Sequence, residues 1–320
     1  MTSTQQGRTF QLGPGGPDVG QMGIGTWAWG DRLVWGYGSG YTNSDLRTAF
    51  EISVNRGIRF FDTAELYGFG QSEQLLGEFI RAAGVGGEIA VATKFLPYPW
   101  RFGRGSVVGA LRKSLDRLGM EQVDLYQIHH PSPLTRISEM MEGLADCVEA
   151  GLAKTVGVSN YSVEQMRQAH DALAARSVPL ASNQVEYSLI QRQAETDGML
   201  DLCHELDVTL IAYSPLGMGL LTGKYTPQSP PSGMRGRKYD RQFLASLQPL
   251  TALMRDIGQA HGDRTAAQVA LNWVIAKGAL PIPGAKNARQ ADDNLGALGW
   301  SLTREEVAAL DGAADRLTNR

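Results

Sequence analysis

Eight short apolar segments alternate with amphipathic segments along most of the chain, and this alternation limits the folds open to it. The apolar runs have the length of buried strands, and the segments between them carry apolar residues at helical spacing. The predicted strands centre near Gly23, Phe60, Val91, Tyr126, Val156, Asn183, Leu210 and Pro281. Eight such units are typical of a (β/α)8 TIM barrel, here a single α/β domain over residues 1–320.

A doubly wound parallel sheet is the alternative that the same alternation allows. Its dinucleotide-binding form places a G-x-G-x-x-G sequence after the first strand, and none follows the strand near Gly23. Residues 1–20 are polar and rich in glycine and proline, which predicts a flexible lead-in or a small hairpin between Phe10 and Met22. From Pro215 to about Phe243 glycines and prolines recur, which predicts a long irregular segment.

Three helix starts carry capping signals. Ser44 is predicted to cap a helix, and Ser162 with Gln165 resembles a capping box. Thr303 with Glu306 forms a second such pair, which predicts a C-terminal helix.

Composition excludes several functional classes. The net charge of −3 leaves no basic excess for nucleic acid. No run of about 18 apolar residues predicts a membrane span, and the N-terminus lacks the apolar core of a secretory signal. Cys147 and Cys203 lie in helical patterns beside apolar neighbours, as buried reduced thiols of a cytoplasmic protein do.

Polar side chains stand where successive strands should end: Asp62, Lys94, His129, Asn160, Gln184 and Tyr213. Any one of them alone has a structural explanation, such as a helix cap or a surface charge. Strand ends of a barrel converge on one mouth, where active sites are built. The set therefore predicts an active site.

Tyr67 follows Asp62 on a glycine-containing loop, and its phenol is the expected acid. A phenol has an ordinary pKa of about 10, and we expect Lys94, held by Asp62, to lower the pKa of Tyr67. The phenol would then protonate a carbonyl oxygen that His129 polarises by a hydrogen bond. The sequence offers no nucleophile with its base and no metal-ligand spacing, so a hydride would come from a cofactor.

These residues match the aldo-keto reductase family over about Gly23 to Leu310. The matching motifs are Asp62-Thr63-Ala64, Tyr67-Gly68, Ser72-Glu73, Lys94, Gln127-Ile128-His129, Gly157-Val158-Ser159-Asn160 and Tyr213-Ser214-Pro215-Leu216-Gly217. The resemblance implies a barrel enzyme that reduces an aldehyde or ketone to an alcohol with NADPH (NADP+). It also implies that Asp62, Tyr67, Lys94 and His129 are the catalytic residues.

The resemblance further implies an extended nicotinamide cofactor across the barrel mouth. The implied contacts are Gly25, Thr26, Trp27, Asp62, Ser159, Asn160, Gln184, Tyr213, Ser214, Pro215, Leu216, Gly217, Leu221, Lys224, Pro283, Gly284, Lys286, Arg289, Gln290, Asp293 and Asn294. Ser159, Asn160 and Gln184 would hold the carboxamide, and Tyr213 would stack under the ring. Lys286, with Arg289 nearby, occupies the family's basic position for the 2′-phosphate, which favours NADPH over NADH.

Aromatic loops indicate the substrate. Trp27, Trp29, Trp35 and Trp100, with Tyr67, His129 and His130, are predicted to line a pocket for a flat ring. Ordinary packing of each tryptophan, and a structural role for His130, stay open. Motifs such as Thr26-Trp27-Ala28-Trp29-Gly30 resemble the plant and cyanobacterial branch that includes pyridoxal reductase. That likeness makes pyridoxal one candidate substrate.

A different class of function also fits the fold. Potassium-channel β subunits share it and act as cofactor-sensing, partner-binding proteins with little turnover. No additional docking helix is evident in the sequence, which favours the reductase. We expect a small-molecule carbonyl substrate as partner, and a monomer or small homo-oligomer.

Overall fold

The computed structural model describes residues 9–32, 34–232, 236 and 238–318, and its centre is an eight-stranded parallel barrel. An antiparallel hairpin, β1 (Phe10–Gln11) and β2 (Asp18–Gly20), precedes the barrel. The barrel strands are β3 (Ile24–Gly25), β4 (Phe60–Asp62), β5 (Ala90–Phe95), β6 (Val123–Ile128), β7 (Ala153–Ser159), β8 (Leu180–Glu186), β9 (Thr209–Tyr213) and β10 (Leu280–Pro281). Neighbours in sequence pair in space.

Backbone hydrogen bonds between the first and last strands close the barrel. The Gly23 N–H donates to Pro281 O at 3.0 Å, and the Gly25 N–H donates to Pro283 O at 3.1 Å. Closure leaves the sheet without a free edge. The predicted (β/α)8 barrel is confirmed, and the doubly wound sheet is excluded.

Helices follow the strands and cover the outside of the barrel. They are α1 (Asn43–Asn55), α2 (Gln71–Ala83), α3 (Arg104–Leu118), α4 (Ile137–Glu149), α5 (Val163–Ala174), α6 (Gln193–Thr196), α7 (Met199–Glu205), α8 (Arg241–Ala260), α9 (Ala266–Ala276), α10 (Ala288–Leu295) and α11 (Arg304–Thr318). Two 3₁₀ turns, Tyr67–Gly70 and Gly217–Thr222, lie at the barrel mouth. Among the residues described, no helix combines the length and apolar character that a bilayer crossing needs.

Two of the three predicted helix starts are confirmed. Ser162 and Gln165 exchange hydrogen bonds at the start of α5, and Thr303 and Glu306 do so before α11. The prediction for Ser44 is wrong, because α1 is capped two residues earlier. Thr42 is the cap residue there, and its N–H donates to the Asp45 carboxylate at 2.9 Å, so Ser44 lies inside the first turn.

The predicted N-terminal hairpin closes the bottom of the barrel. Phe10, Leu12 and Val19 pack into the apolar cluster that fills the barrel interior. Thr209, at the amino end of β9, donates to the Gln11 carbonyl at 2.5 Å. This packing leaves the carboxyl ends of the strands as the open mouth; residues 1–8 of the predicted lead-in lie outside the described part.

The predicted irregular segment after β9 contains more regular structure than expected. It includes the 3₁₀ turn Gly217–Thr222, and α8 begins at Arg241, inside the predicted segment. Residues 233–235 and 237 of this segment lie outside the described residues.

Candidate active site

Four side chains meet at the mouth of the barrel. The Lys94 ammonium donates to Asp62 Oδ1 at 2.5 Å and to Thr63 O at 2.8 Å. Its Nζ also lies 3.4 Å from Tyr67 Oη. The ring of His129 stands nearly perpendicular to that of Tyr67, with 5.7 Å between ring centroids. The structure thus brings the four predicted catalytic residues together.

Strand register and one tight turn produce this arrangement. Asp62 ends β4 opposite Ala92, so Lys94 lies two residues further along β5 on the same inward face. Tyr67 opens a turn in which Gly68 has φ +55°, and a Cβ there would lie 2.9 Å from the Gly30 carbonyl. A side chain at position 68 would therefore push the Tyr67 turn away from the mouth.

Burial dominates the protonation of Tyr67. Burial, followed by the negative charge of Asp62, raises the pKa of Tyr67 well above 10. The sequence predicted a lowered pKa for Tyr67, whereas in the resting protein this pKa is raised. Burial also lowers the pKa of Lys94, while the Asp62 charge and hydrogen bond oppose that effect. Tyr67 keeps its proton, and the ammonium beside it is placed to stabilise a phenolate once the proton leaves.

His129 is a neutral imidazole. Burial, then the positive charges of Lys94 and His130, lower the pKa of His129 from 6.5 to about 2. The exposed His130 ring stacks on it, with 5.1 Å between centroids. The Nδ1 atom of His129 is buried without a hydrogen-bond partner among the described residues. A neutral imidazole offers one N–H donor, as polarising a carbonyl oxygen requires.

This neutral histidine predicts acid sensitivity of the fold. Unfolded His129 binds a proton below about pH 6.5, whereas the folded protein resists protonation until pH is near 2. We therefore expect the free energy of unfolding to fall on acidification below pH 6.5, by up to about 1.4 kcal/mol per pH unit from this group. Urea denaturation at several pH values between 5 and 8 would measure this slope of the unfolding free energy against pH. His129→Asn should flatten this slope, whereas His204→Asn, at an exposed histidine, should leave it unchanged. Equal slopes in wild type and His129→Asn would contradict the explanation.

The predicted carboxamide residues adjoin the same site. Gln184 Nε2 donates to Asp62 Oδ2 at 3.0 Å. Asn160 donates through Nδ2 to the His129 carbonyl at 3.0 Å, and its Oδ1 accepts the Tyr213 hydroxyl at 3.0 Å. Ser159 Oγ accepts a second Asn160 N–H at 3.0 Å. The structure thus fixes these polar groups beside the four central residues.

The similarity of the chain to known proteins agrees with this geometry. A model described as the Aldo/keto reductase family matches residues 21–315. The chain is 46% identical over 308 residues to a chloroplastic pyridoxal reductase of Arabidopsis thaliana, an alignment that covers 92% of this chain and 83% of the relative. The chain belongs to the aldo/keto reductase family.

Solved structures share the barrel of this aldo/keto reductase. A Klebsiella pneumoniae aldo/keto reductase in complex with NADP and acetate superposes with a TM-score of 0.74 at 28% identity, covering 95% of each chain. A glycerol dehydrogenase from Gluconobacter oxydans superposes with a TM-score of 0.82 at 27% identity, covering 98% of this chain and 96% of that one.

The tryptophans of this aldo/keto reductase divide between the mouth and the core. Trp27, 37% exposed, lies against Tyr67 at 6.3 Å between centroids and meets Trp35 edge-on at 5.5 Å. Trp100 is 71% exposed and stacks on Tyr98. The prediction that Trp29 lines the pocket is wrong. Its ring is fully buried, and its Nε1 donates to a backbone carbonyl at 3.0 Å, so it is a core residue.

Two further segments flank the mouth. After β9, the backbone takes positive φ at Ser214, Gly217, Met218 and Gly219, and a Cβ at Gly219 would lie 3.6 Å from Lys224 Nζ. Pro215 and Leu221 are buried, and Leu216 is partly buried.

The second segment follows β3. Thr26 is fully buried, and its hydroxyl donates to the Asp62 carbonyl, so it supports the mouth from below. Gly25 pairs with Gly284 where the barrel closes.

The segment after β10 places basic residues at the start of α10. Lys286 Nζ lies 5.3 Å from the centroid of Trp35 and 4.9 Å from that of Tyr41. Gln290 Oε1 accepts the Lys286 N–H at 2.9 Å, and Arg289 is exposed. Pro283 is buried, and Asn294 donates to the Gly284 carbonyl at 3.3 Å. Asp293 instead accepts hydrogen bonds from Thr265 and Gln268 at the start of α9, which gives it a structural role.

The sequence analysis gave no role to two buried polar residues, Gln127 and Glu73, which it included only as parts of motifs. Gln127 Nε2 donates to Asp62 Oδ2 at 3.4 Å. Glu73 is fully buried and accepts hydrogen bonds from Thr93 and Arg117, both at 2.6 Å. A glutamine among the apolar residues Leu125, Tyr126 and Ile128 of β6 is the signal that would have identified Gln127 as an inward-facing polar group.

Proposed function

We propose that this aldo/keto reductase uses NADPH to reduce an aldehyde or ketone to an alcohol, with Tyr67 as proton donor. In the reverse direction it would oxidise an alcohol, so it would be an oxidoreductase that acts on CH–OH donors. The observation that carries the proposal is the half-buried Tyr67 hydroxyl at the barrel mouth, 3.4 Å from the Lys94 ammonium. A proton donor beside a cation, at the mouth of a barrel, suits carbonyl reduction.

The donor groups at the mouth fit a nicotinamide dinucleotide. Asn160, Ser159 and Gln184 offer amide and hydroxyl groups for a carboxamide, and Tyr213 is held beside them by Asn160. Left-handed residues at Ser214 and at Gly217 to Gly219 turn the backbone into the kind of concavity that binds anions, with Lys224 next to it. These groups would hold the carboxamide and the pyrophosphate.

The chain's own residues then manage the proton. When bound, a reduced nicotinamide supplies the hydride that forms the new C–H bond as the carbonyl π bond breaks. His129 donates a hydrogen bond to the carbonyl oxygen and polarises it. Tyr67 transfers its proton to that oxygen, which forms the alcohol O–H and leaves a phenolate. Lys94 stabilises the phenolate until a proton from solvent restores the phenol.

The substrate proposed is pyridoxal or another aromatic carbonyl compound. The similarity to a protein named pyridoxal reductase supports it. Trp27, in contact with Tyr67 and Trp35, supports a flat ring next to the proton donor.

Fluorescence titration with NADPH and NADH, followed by a panel of carbonyl compounds that includes pyridoxal, tests the proposal. We expect tight NADPH binding and its oxidation by at least one aldehyde. Binding without oxidation by any of them would refute the reductase and favour a cofactor-sensing protein.

Lys286 is expected to set the preference for NADPH. Lys286→Met removes the cation two residues before α10, so NADPH binding should weaken by about 10- to 100-fold, the value of one or two charge-assisted hydrogen bonds. NADH binding should change little, as fluorescence titration would show. Lys113→Met, on the exposed face of α3, is the matched control. Equal weakening of both nucleotides would contradict a 2′-phosphate contact.

A further inference from the structure

From Lys94 a row of polar groups runs across the barrel interior in an apolar environment. Strand register places Lys94, Gln127, Gly157 and Ser182 side by side on β5, β6, β7 and β8. Lys94, Gln127 and Ser182 are fully buried. The surrounding interior cluster consists of residues such as Phe60, Ala92, Leu125 and Ile211. Burying an amide and a hydroxyl here is unfavourable unless each is hydrogen-bonded.

Gln127 satisfies this requirement through a chain that ends on the catalytic pair. Ser182 Oγ donates to Gln127 Oε1 at 3.3 Å, and Gln127 Nε2 donates to Asp62 Oδ2 at 3.4 Å. Because Ser182 occupies the amide oxygen, the amide N–H groups face the carboxylate. Gly157 leaves room for this link, since a Cβ there would lie 2.2 Å from Ser182 Oγ.

The geometry points to Gln127 as a positioning residue for the Asp62–Lys94 pair, oriented by Ser182. This inference rests on the proposed reductase function, because its consequence is the stabilisation of the Tyr67 phenolate. Asp62 Oδ1 accepts from Lys94, while Oδ2 accepts from Gln184 and Gln127. Donors on Oδ2 fix the carboxylate so that Oδ1 stays directed at the ammonium.

Losing this positioning would change the protonation of Lys94. Its neighbours with charge or titrating groups are Asp62 on β4, Tyr67 in the 3₁₀ turn, Glu73 on α2 and His129 after β6. Burial lowers the pKa of Lys94, and the Asp62 contact opposes this effect most strongly. Losing the Gln127 donor loosens that contact, so Lys94 should lose its proton at a lower pH.

Gln127→Met removes the donor and keeps the length of the side chain. We expect the Lys94 ammonium signal in ¹⁵N-lysine NMR spectra, assigned with Lys94→Arg, to titrate at lower pH than in wild type. Turnover should fall about ten-fold, as expected for a lost hydrogen bond to a charged group. Leu125→Met, in the same interior layer, is the packing control and should leave both readouts unchanged. Ser182→Ala should shift the titration in the same direction by less.

Gln127→Glu should make turnover depend strongly on pH. At acidic pH the introduced carboxyl group carries a proton and donates to Asp62 in place of the amide. As pH rises, a second carboxylate faces Asp62 and further disfavours a Tyr67 phenolate, so turnover should approach wild type at low pH and fall steeply as pH increases. A residue needed only for packing would not produce this change in profile.

Unchanged titration of Lys94 in both Gln127→Met and Ser182→Ala would overturn the inference. Loss of turnover in Gln127→Met with a lowered melting temperature but the wild-type Lys94 titration would also overturn it. The NMR readout needs neither cofactor nor carbonyl compound. A wild-type protein without reductase activity would therefore refute the proposed function, while the Lys94 titration would still decide the role of Gln127.

Discussion

Tyr67→Phe is expected to lower carbonyl reduction by about 10²- to 10⁴-fold, the usual contribution of a positioned general acid. The substitution removes only the hydroxyl that lies 3.4 Å from Lys94 Nζ and leaves the ring that packs edge-on to His129. NADPH binding should therefore be nearly unchanged. Steady-state rates of NADPH oxidation, with binding measured separately by fluorescence titration, would show the split.

A matched control separates loss of the acid from loss of a buried hydroxyl. Tyr161 is also buried near the end of β7, and its Oη has no hydrogen-bond partner among the described residues. Tyr161→Phe should leave both turnover and stability close to wild type. If Tyr67→Phe kept wild-type turnover, Tyr67 would not be the proton donor.

Lys94→Met is expected to damage both the fold and the chemistry. Asp62 is almost fully buried, so removing its cation leaves an uncompensated charge, which costs about 3–5 kcal/mol of unfolding free energy. Turnover should fall by at least about 10²-fold, because nothing then stabilises the Tyr67 phenolate. Denaturant unfolding at pH 7 and steady-state kinetics measure the two effects.

Two comparisons isolate the buried charge. Arg56→Met breaks a 2.7 Å ion pair with Asp292 in which the side chains are 54% and 63% exposed, so it should cost only about 0–1 kcal/mol. The double variant Asp62→Asn with Lys94→Met should recover much of the stability without recovering turnover. Equal destabilisation by Lys94→Met and Arg56→Met would contradict the assignment of a buried, functional pair.

The fold was predictable because its signals are local and repeated. Each short apolar run became a strand at the expected place, and residues at the strand ends, such as Asp62 and Lys94, met at the mouth because barrel topology requires it. The error at Ser44 has a local cause. Thr42 and Ser44 are both competent caps, and the carboxylate of Asp45 decides between them.

The remaining errors concern how deeply each side chain is buried, which a single sequence does not encode. Trp27 and Trp29 are two residues apart in one aromatic run, yet Trp27 lies beside Tyr67 and Trp29 is in the core. The pKa of Tyr67 depends on how far the mouth removes its hydroxyl from water, and burial is the largest cause of its raised pKa. The link between Gln127 and Asp62 becomes visible only in the structure, where strand register places Gln127 beside Lys94.

Transfer of deuterium from the nicotinamide to the product tests the central claim most directly. The protein would be incubated with NADPH deuterated at the hydride-donating carbon and with pyridoxal or another aromatic aldehyde, and the alcohol analysed by mass spectrometry. The proposed chemistry predicts one deuterium on the carbinol carbon of each product molecule, with Tyr67→Phe forming little product. An alcohol formed without deuterium, or no alcohol from any carbonyl compound despite tight NADPH binding, would contradict it.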